Sequence, residues 1–78
     1  MSNINVNPIA ANMIEVSING LGVILFSYST PVAAATPEGL FKTSEKWSDT
    51  TSRHINAWLD GRTATEKPQG FFDNLGGL

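Results

Sequence analysis

The first half of the chain alternates apolar and polar residues in a way that predicts strands. Residues 14–18 alternate isoleucine or valine with glutamate and serine, which is the period of a strand with one buried face. Asn19-Gly20 follows, and both residue types tolerate the positive φ values of a type I′ turn. The sequence therefore predicts a β-hairpin centred on Asn19-Gly20.

Three further segments predict the rest of a sheet. Residues 22–29 place apolar side chains on both faces, which is typical of a central strand covered on both sides. Residues 30–36 predict a third strand with a proline near its start, where the missing N–H is tolerated. Residues 37–39 indicate a tight turn, and residues 40–47 predict a fourth strand.

A helix is predicted over about residues 50–60. Ser48, Asp49 or Thr50 can accept hydrogen bonds from its first free amides, and Gly61 can supply a left-handed stop. Its apolar face comprises Thr51, Ile55, Trp58 and Leu59. We expect that face to pack on the sheet.

The two ends of the chain are less regular. Residues 1–12 are rich in asparagine and predict an N-terminal arm or weak edge strand, in which pairing stops at Pro8. Residues 62–78 are polar and contain proline and glycine. We expect them to form a loosely docked tail that is anchored by Phe71 and Phe72.

Together these elements predict one α+β domain over residues 13–61. It would contain a small antiparallel sheet of three to four strands, followed by one helix packed on one face. The chain has 78 residues and no cysteine, so it supports one hydrophobic core without disulfides, and a reducing cytoplasm is the expected compartment. The longest apolar run, residues 21–26, is far short of the roughly 20 residues of a membrane-spanning helix, so we expect no membrane association.

The predicted helix is too short to cover both sides of the sheet. At about 11 residues it is about 16 Å long, so it covers roughly one face. A symmetric contact with a second copy would bury the other apolar face, although the arm and the tail could also fold over it. We expect a homo-oligomer, with a dimer favoured. The candidate interface residues are Ile24, Phe26, Tyr28, Phe71 and Phe72.

Residues capable of catalysis are sparse. His54 is the only histidine, and its place on a helix beside Trp58 is more typical of a packing residue than of a base or ligand. The sequence has neither a nucleophile-elbow motif nor a phosphate-binding glycine pattern. We therefore expect no enzymatic activity, no bound metal and no cofactor.

The start of the predicted helix is dense in hydroxyl groups and has basic residues nearby. Such a helix start can hold an anion, although redundant capping explains the same residues more simply. The candidate binding residues are Thr50, Thr51, Ser52, Arg53, His54, Lys46 and Arg62. The formal net charge of −2 argues against a general polyanion binder.

Residues 26–59 also carry a resemblance to a known family. The residues concerned are Ser27-Tyr28-Ser29-Thr30-Pro31-Val32-Ala33, Trp47-Ser48, Thr50-Thr51-Ser52-Arg53-His54-Ile55 and Trp58. This order resembles a group of small tailed-bacteriophage proteins of unknown function, in which tyrosine stands where this chain has Trp47. The resemblance implies a phage accessory protein that acts in the bacterial cytoplasm.

Three functional hypotheses follow. The favoured one is a non-enzymatic interaction module, a phage accessory protein that binds or inhibits a host or defence protein. The second is a small nucleic-acid or nucleotide binder, and the third is a structural component of the virion. The residues that would serve the second are Lys42, Lys46, Arg53, His54 and Arg62.

Overall fold

In a computed structural model, six strands form one sheet that has a helix on each side. The structure describes residues 4–76, so residues 1–3 of the predicted arm and 77–78 of the predicted tail lie outside it. The elements are β1 (Ile4–Ala10), β2 (Met13–Ile18), β3 (Gly22–Ser27), β4 (Thr30–Thr36), β5 (Gly39–Thr43), α1 (Asp49–Leu59), β6 (Thr65–Lys67) and α2 (Gln69–Gly76). The α+β class is confirmed.

The sheet is larger than the sequence predicts, and it is mixed. Its strands lie in chain order, and each neighbouring pair is antiparallel except β5 and β6, which are parallel. The predicted antiparallel sheet of three to four strands with one helix was therefore too small. Antiparallel neighbours need only short turns, whereas the parallel pair is joined through α1.

The predicted hairpin between β2 and β3 is present, with a different turn. The Leu21 amide donates to the Ile18 carbonyl oxygen at 3.0 Å, which closes the turn around Asn19-Gly20. Gly20 has a φ of 88°, whereas Asn19 has no positive φ. One positive φ at the second central position is the geometry of a type II turn, so the predicted type I′ turn was wrong.

β1 is an edge strand that continues past Pro8. Pro8 is paired with Ile14 and Ala10 with Met13, with a register shift between the two pairs. The prediction that pairing stops at Pro8 was wrong because an edge strand tolerates a residue without an N–H, particularly beside an irregularity. All seven residues of β1 are exposed.

The segment after α1 is ordered where a loose tail was predicted. β6 lies parallel to β5, and α2 follows it directly. Phe72 is fully buried and packs with Ala34 and Phe41, so the predicted aromatic anchor fixes a complete helix. α2 thereby covers part of the sheet side opposite α1.

The larger part of the core lies between the sheet and α1. Ser48 caps this helix by accepting a hydrogen bond from the Thr51 amide at 3.1 Å, and Asp60 ends it in the left-handed conformation. The helix therefore begins one residue earlier than predicted, with the predicted face turned to the sheet. The buried residues of this layer are Met13, Leu25, Val32, Ala33, Ile55, Trp58 and Leu59.

Candidate functional site

Two turns and the starts of both helices meet at one end of the sheet, which we call the turn end. The turns are Ala11–Asn12, between β1 and β2, and Tyr28–Ser29, between β3 and β4. The Tyr28 amide donates to the Asn12 carbonyl oxygen at 2.9 Å, so the two turns lie side by side. Because β5 and β6 are parallel and each precedes a helix, α1 and α2 both begin at this end.

The Tyr28–Ser29 turn has an unusual conformation for its sequence. Tyr28 and Ser29 have φ values of 55° and 79°, and they alone connect Ser27 to Thr30. A two-residue hairpin turn with two positive φ values ordinarily carries Asn-Gly, because most other residue types are strained at positive φ. A bulky residue in this region is an outlier that costs of the order of 1–3 kcal/mol. The Tyr28 side chain is nonetheless 51% exposed.

His54 on α1 packs against the Tyr28 ring and positions it. The centroids of the two rings are 5.8 Å apart and the ring planes are tilted by 36°. His54 in turn contacts the buried Ser27 hydroxyl through Nδ1 at 2.8 Å. The exposed aromatic ring therefore sits on a side chain that is itself fixed to the sheet.

A chain of hydroxyl groups links the sheet to the start of α1. Ser27 Oγ lies 3.0 Å from Thr51 Oγ1, and the Ser48 hydroxyl donates to Thr51 Oγ1 at 3.2 Å. Ser27 and Thr51 are both buried, so neither hydroxyl is accessible to a ligand. The Ser27–His54 contact therefore joins α1 to the sheet.

The other predicted binding residues are spread along α1 and beyond it. Lys46 forms an exposed ion pair with Asp49 at 3.5 Å, and Arg53 is exposed on the outer side of the helix. Thr50 and Ser52 are half-buried. Arg62 lies beyond the other end of α1, where its guanidinium donates to the carbonyl oxygens of Leu59 and Trp58, both at 2.8 Å. The structure thus brings Thr51 and His54 together and leaves Arg62 apart.

Gln69 is a key residue that the sequence analysis did not single out. Its Oε1 accepts hydrogen bonds from the Thr43 hydroxyl at 2.8 Å and the Trp47 indole at 3.1 Å. Its Nε2 donates to the Pro31 carbonyl oxygen at 2.7 Å and to Asp73 Oδ1 at 3.0 Å. One amide thus joins α2, β4 and the segment after β5. A glutamine after a proline gives no sequence signal for such a role.

Trp47 is the second exposed aromatic residue of the turn end. Its side chain is 51% exposed, while its indole N–H is held by Gln69. Gln69 also contacts Pro31, in the strand that begins immediately after the Tyr28–Ser29 turn. Tyr28 and Trp47 therefore both present large aromatic surface from positions that the fold fixes.

The predicted interface residues divide by exposure. Ile24 and Phe72 are buried within the chain, so they have no surface for a partner in this conformation. Phe26 and Phe71 are half-buried, and Tyr28 is exposed. Tyr28 is thus the most exposed member of this set.

Within residues 4–76, no group of three or more His, Asp or Glu side chains could hold a metal ion. No helix of the same range is long and apolar enough to cross a membrane.

The fold and the turn end define a class of protein: a small α+β protein with a six-stranded mixed sheet, one helix on each side, and exposed aromatic residues at one end. The chain belongs to a family of unknown function, DUF8033, whose family model matches residues 4–74. Comparison with the curated proteins and with the solved structures found no match.

Proposed function

We propose that the protein is a non-enzymatic interaction module that binds a host or defence protein through Tyr28 and Trp47 at the turn end. The observation that carries the proposal is Tyr28 itself, a half-exposed aromatic residue with a φ of 55°. Strained residues that persist in a fold are concentrated at functional sites. A turn that served only to join two strands would be more stable with asparagine and glycine.

The chemistry of the turn end suits a protein partner. Tyrosine, tryptophan and arginine are the residue types that contribute most to protein–protein binding energy. Tyr28 and Trp47 are both held by the fold, and Arg53 is exposed on the helix that supports Tyr28. Aromatic side chains that are fixed before binding lose little conformational entropy when a partner covers them.

Nucleic-acid binding has less support from the positions of the basic residues. Lys46 is paired with Asp49, and Arg62 is bonded to carbonyl oxygens at the end of α1. Lys42 is paired in the sheet register with Glu66. A nucleic-acid interface needs several cations that face the same phosphates.

The resemblance to small tailed-bacteriophage proteins supports a more specific proposal. We infer that the module is a phage accessory protein that acts in the bacterial cytoplasm, where its partner is a host or defence protein. The absence of cysteine is compatible with a reducing compartment.

The test is capture from bacterial lysate with the tagged protein and two turn variants. Tyr28→Asn removes the ring but keeps a residue that tolerates positive φ, and Ser29→Gly relaxes the same turn while it keeps the ring. We expect the wild type and Ser29→Gly to retain one stoichiometric protein that Tyr28→Asn loses. Nuclease treatment of half of each sample should change nothing.

Two outcomes would count against the proposal. If Tyr28→Asn retains the same protein at the same yield, the turn end is not the binding surface. If the captured material disappears on nuclease treatment, the partner is a nucleic acid, and the hypothesis based on the basic residues takes precedence.

A further inference from the structure

One side of the sheet is only half covered. On the α1 side, buried residues of β2, β3 and β4 all pack in the helix layer. On the opposite side, α2 packs mainly on β4, with Phe72 against Ala34 and Phe41. Within the part of the chain that the structure describes, neither helix lies over β1 and β2 on this second side.

The uncovered area is a grid of apolar residues on β1 and β2, together with Phe26 of β3, which we call the open face. Directly paired residues of antiparallel strands lie on the same side of a sheet, so the register defines three rows. The rows are Ile4–Ile18–Gly22, Val6–Val16–Ile24 and Pro8–Ile14–Phe26. Ile24 is buried and lies outside the open face, whereas Ile4 and Val6 are 46% and 62% exposed. A contiguous apolar surface of a few hundred Å² is a candidate interaction site.

We propose that the open face is the interface between two copies of this chain, stacked face to face about a twofold axis that runs along the strands. This proposal uses a surface different from the turn end and does not depend on the proposed function. Three features of the open face favour a second copy as its occupant: its lack of charge, its shape and its area.

The open face carries no charged residue. In strands β1, β2 and β3 the one charged side chain is Glu15, which lies on the other side of the sheet and accepts a hydrogen bond from Trp58. In a twofold contact, residues near the axis meet their own copies, so a charge there would face a like charge. An uncharged face avoids this repulsion.

The shape of the half-covered side is complementary to itself. α2 forms a step about 10 Å high beside the open face, since that is the diameter of a helix with its side chains. Two stacked sheets are also about 10 Å apart. A second sheet laid on the open face therefore lies at the level of α2. With the axis along the strands, each α2 abuts the β1 edge of the other copy, and neither helix collides with a sheet.

The area becomes sufficient only when this step is included. Two strands spaced by about 4.8 Å and rising about 3.4 Å per residue, together with Phe26, give the open face an outline of roughly 250 Å². Two such faces alone bury about 500 Å², which is less than the roughly 1,000 Å² expected of a specific interface. Each α2 is about 12 Å long, and its contact with the β1 edge of the other copy raises the total to roughly 1,000 Å².

The experiment measures the mass of the whole chain by light scattering over a series of concentrations. We expect the wild type to reach twice the single-chain mass of 8.4 kDa. Val6→Lys places a charge on the open face at an exposed position, and we expect it to raise the dissociation constant at least about tenfold. Asn5→Lys is the matched control, because it adds the same charge to the preceding residue of β1, on the other side of the sheet and opposite the uncharged Ser17.

The results separate this proposal from the proposed function. Tyr28→Asn should leave the mass unchanged, whatever it does to partner capture. A wild-type chain that stays at single-chain mass at about 100 µM would overturn the dimer. Equal weakening by Val6→Lys and Asn5→Lys would overturn the face-to-face arrangement and place the contact at the β1 edge alone.

Discussion

The indole N–H of Trp58 donates a hydrogen bond to Glu15 Oε2 at 2.6 Å, which joins the last turn of α1 to β2. Trp58 is buried, and its ring also packs beneath the guanidinium of Arg62, 5.8 Å from the ring centroid. The Glu15 carboxylate therefore accepts a hydrogen bond from the one polar group of Trp58, which is the largest side chain in the core between the sheet and α1.

Removing that carboxylate should destabilise the fold. Glu15→Ala leaves the buried indole N–H of Trp58 without its acceptor, and hydrogen bonds to charged groups contribute about 1.5–3 kcal/mol. Glu15→Gln keeps an acceptor of the same reach and should lose less than half as much. The free energy of unfolding in urea measures both. Equal losses in the two variants would show that the negative charge of Glu15, and not an acceptor at this position, carries the effect.

Gly22 and Gly39 form a matched pair for testing a close approach of two strands. Both have strongly positive φ values, of 129° and 133°. A Cβ at Gly22 would lie 2.0 Å from the Ala35 carbonyl oxygen, whereas a Cβ at Gly39 would meet nothing within 4 Å.

Gly22→Ala should therefore be much more destabilising than Gly39→Ala. Each variant carries the strain of a φ near 130°, which is almost confined to glycine and costs of the order of 1–3 kcal/mol, and only the first adds a backbone clash. We expect Gly22→Ala to lose at least about 2 kcal/mol more than Gly39→Ala in urea unfolding. A difference below about 0.5 kcal/mol would mean that β3 and β4 can separate at this point without cost.

Gln69→Ala should loosen the start of α2 without unfolding the sheet. The substitution leaves the Thr43 hydroxyl, the Trp47 indole and the Pro31 carbonyl without their partner, and we expect a loss of about 2–3 kcal/mol. Amide hydrogen exchange of residues 71–75 should accelerate more than that of α1. Asn74→Ala, an exposed position of the same helix, is the control. Unchanged exchange in Gln69→Ala would contradict the role given to this amide.

Substitutions at the two residues of the Tyr28–Ser29 turn should separate stability from binding. Ser29→Gly relieves one positive φ and should raise the free energy of unfolding by about 1 kcal/mol. Tyr28→Asn relieves the other but loses the contact with His54, about 0.5–1.5 kcal/mol, so its stability should stay within about 1 kcal/mol of the wild type. Thermal unfolding measures both. A large loss of stability in Tyr28→Asn would mean that the ring serves the fold.

The elements that sequence predicted well are those with a local signal. β4 has the predicted bounds, and α1 is shifted by one residue, because turns, caps and periodicity define both. β6 is three polar residues whose strand conformation depends on pairing with β5, and α2 contains glycine and follows a proline. Neither has a signal within its own residues, so the sequence indicated a tail.

The candidate site was only partly predictable for the same reason. Thr51 and His54 stood out as a hydroxyl and an imidazole at a helix start, but their partner Ser27 is 24 and 27 residues away. The alternation of β3 did not distinguish Ser27 from any other inward residue. The exposure of Tyr28 also depends on positive φ at its own position, which no tyrosine pattern signals.

The single parallel pair has a consequence for the order in which the chain folds. β1 to β5 form a meander in which every strand pairs with its neighbour in sequence, so this part requires only short loop closures. β6 cannot pair with β5 until the intervening helix has crossed the sheet, and such non-local pairing is slow. During synthesis the meander can therefore form while the residues after Thr43 are still in the ribosome. We expect the side beneath α2 to stay exposed to solvent, and to chaperones, until the residues of α2 emerge.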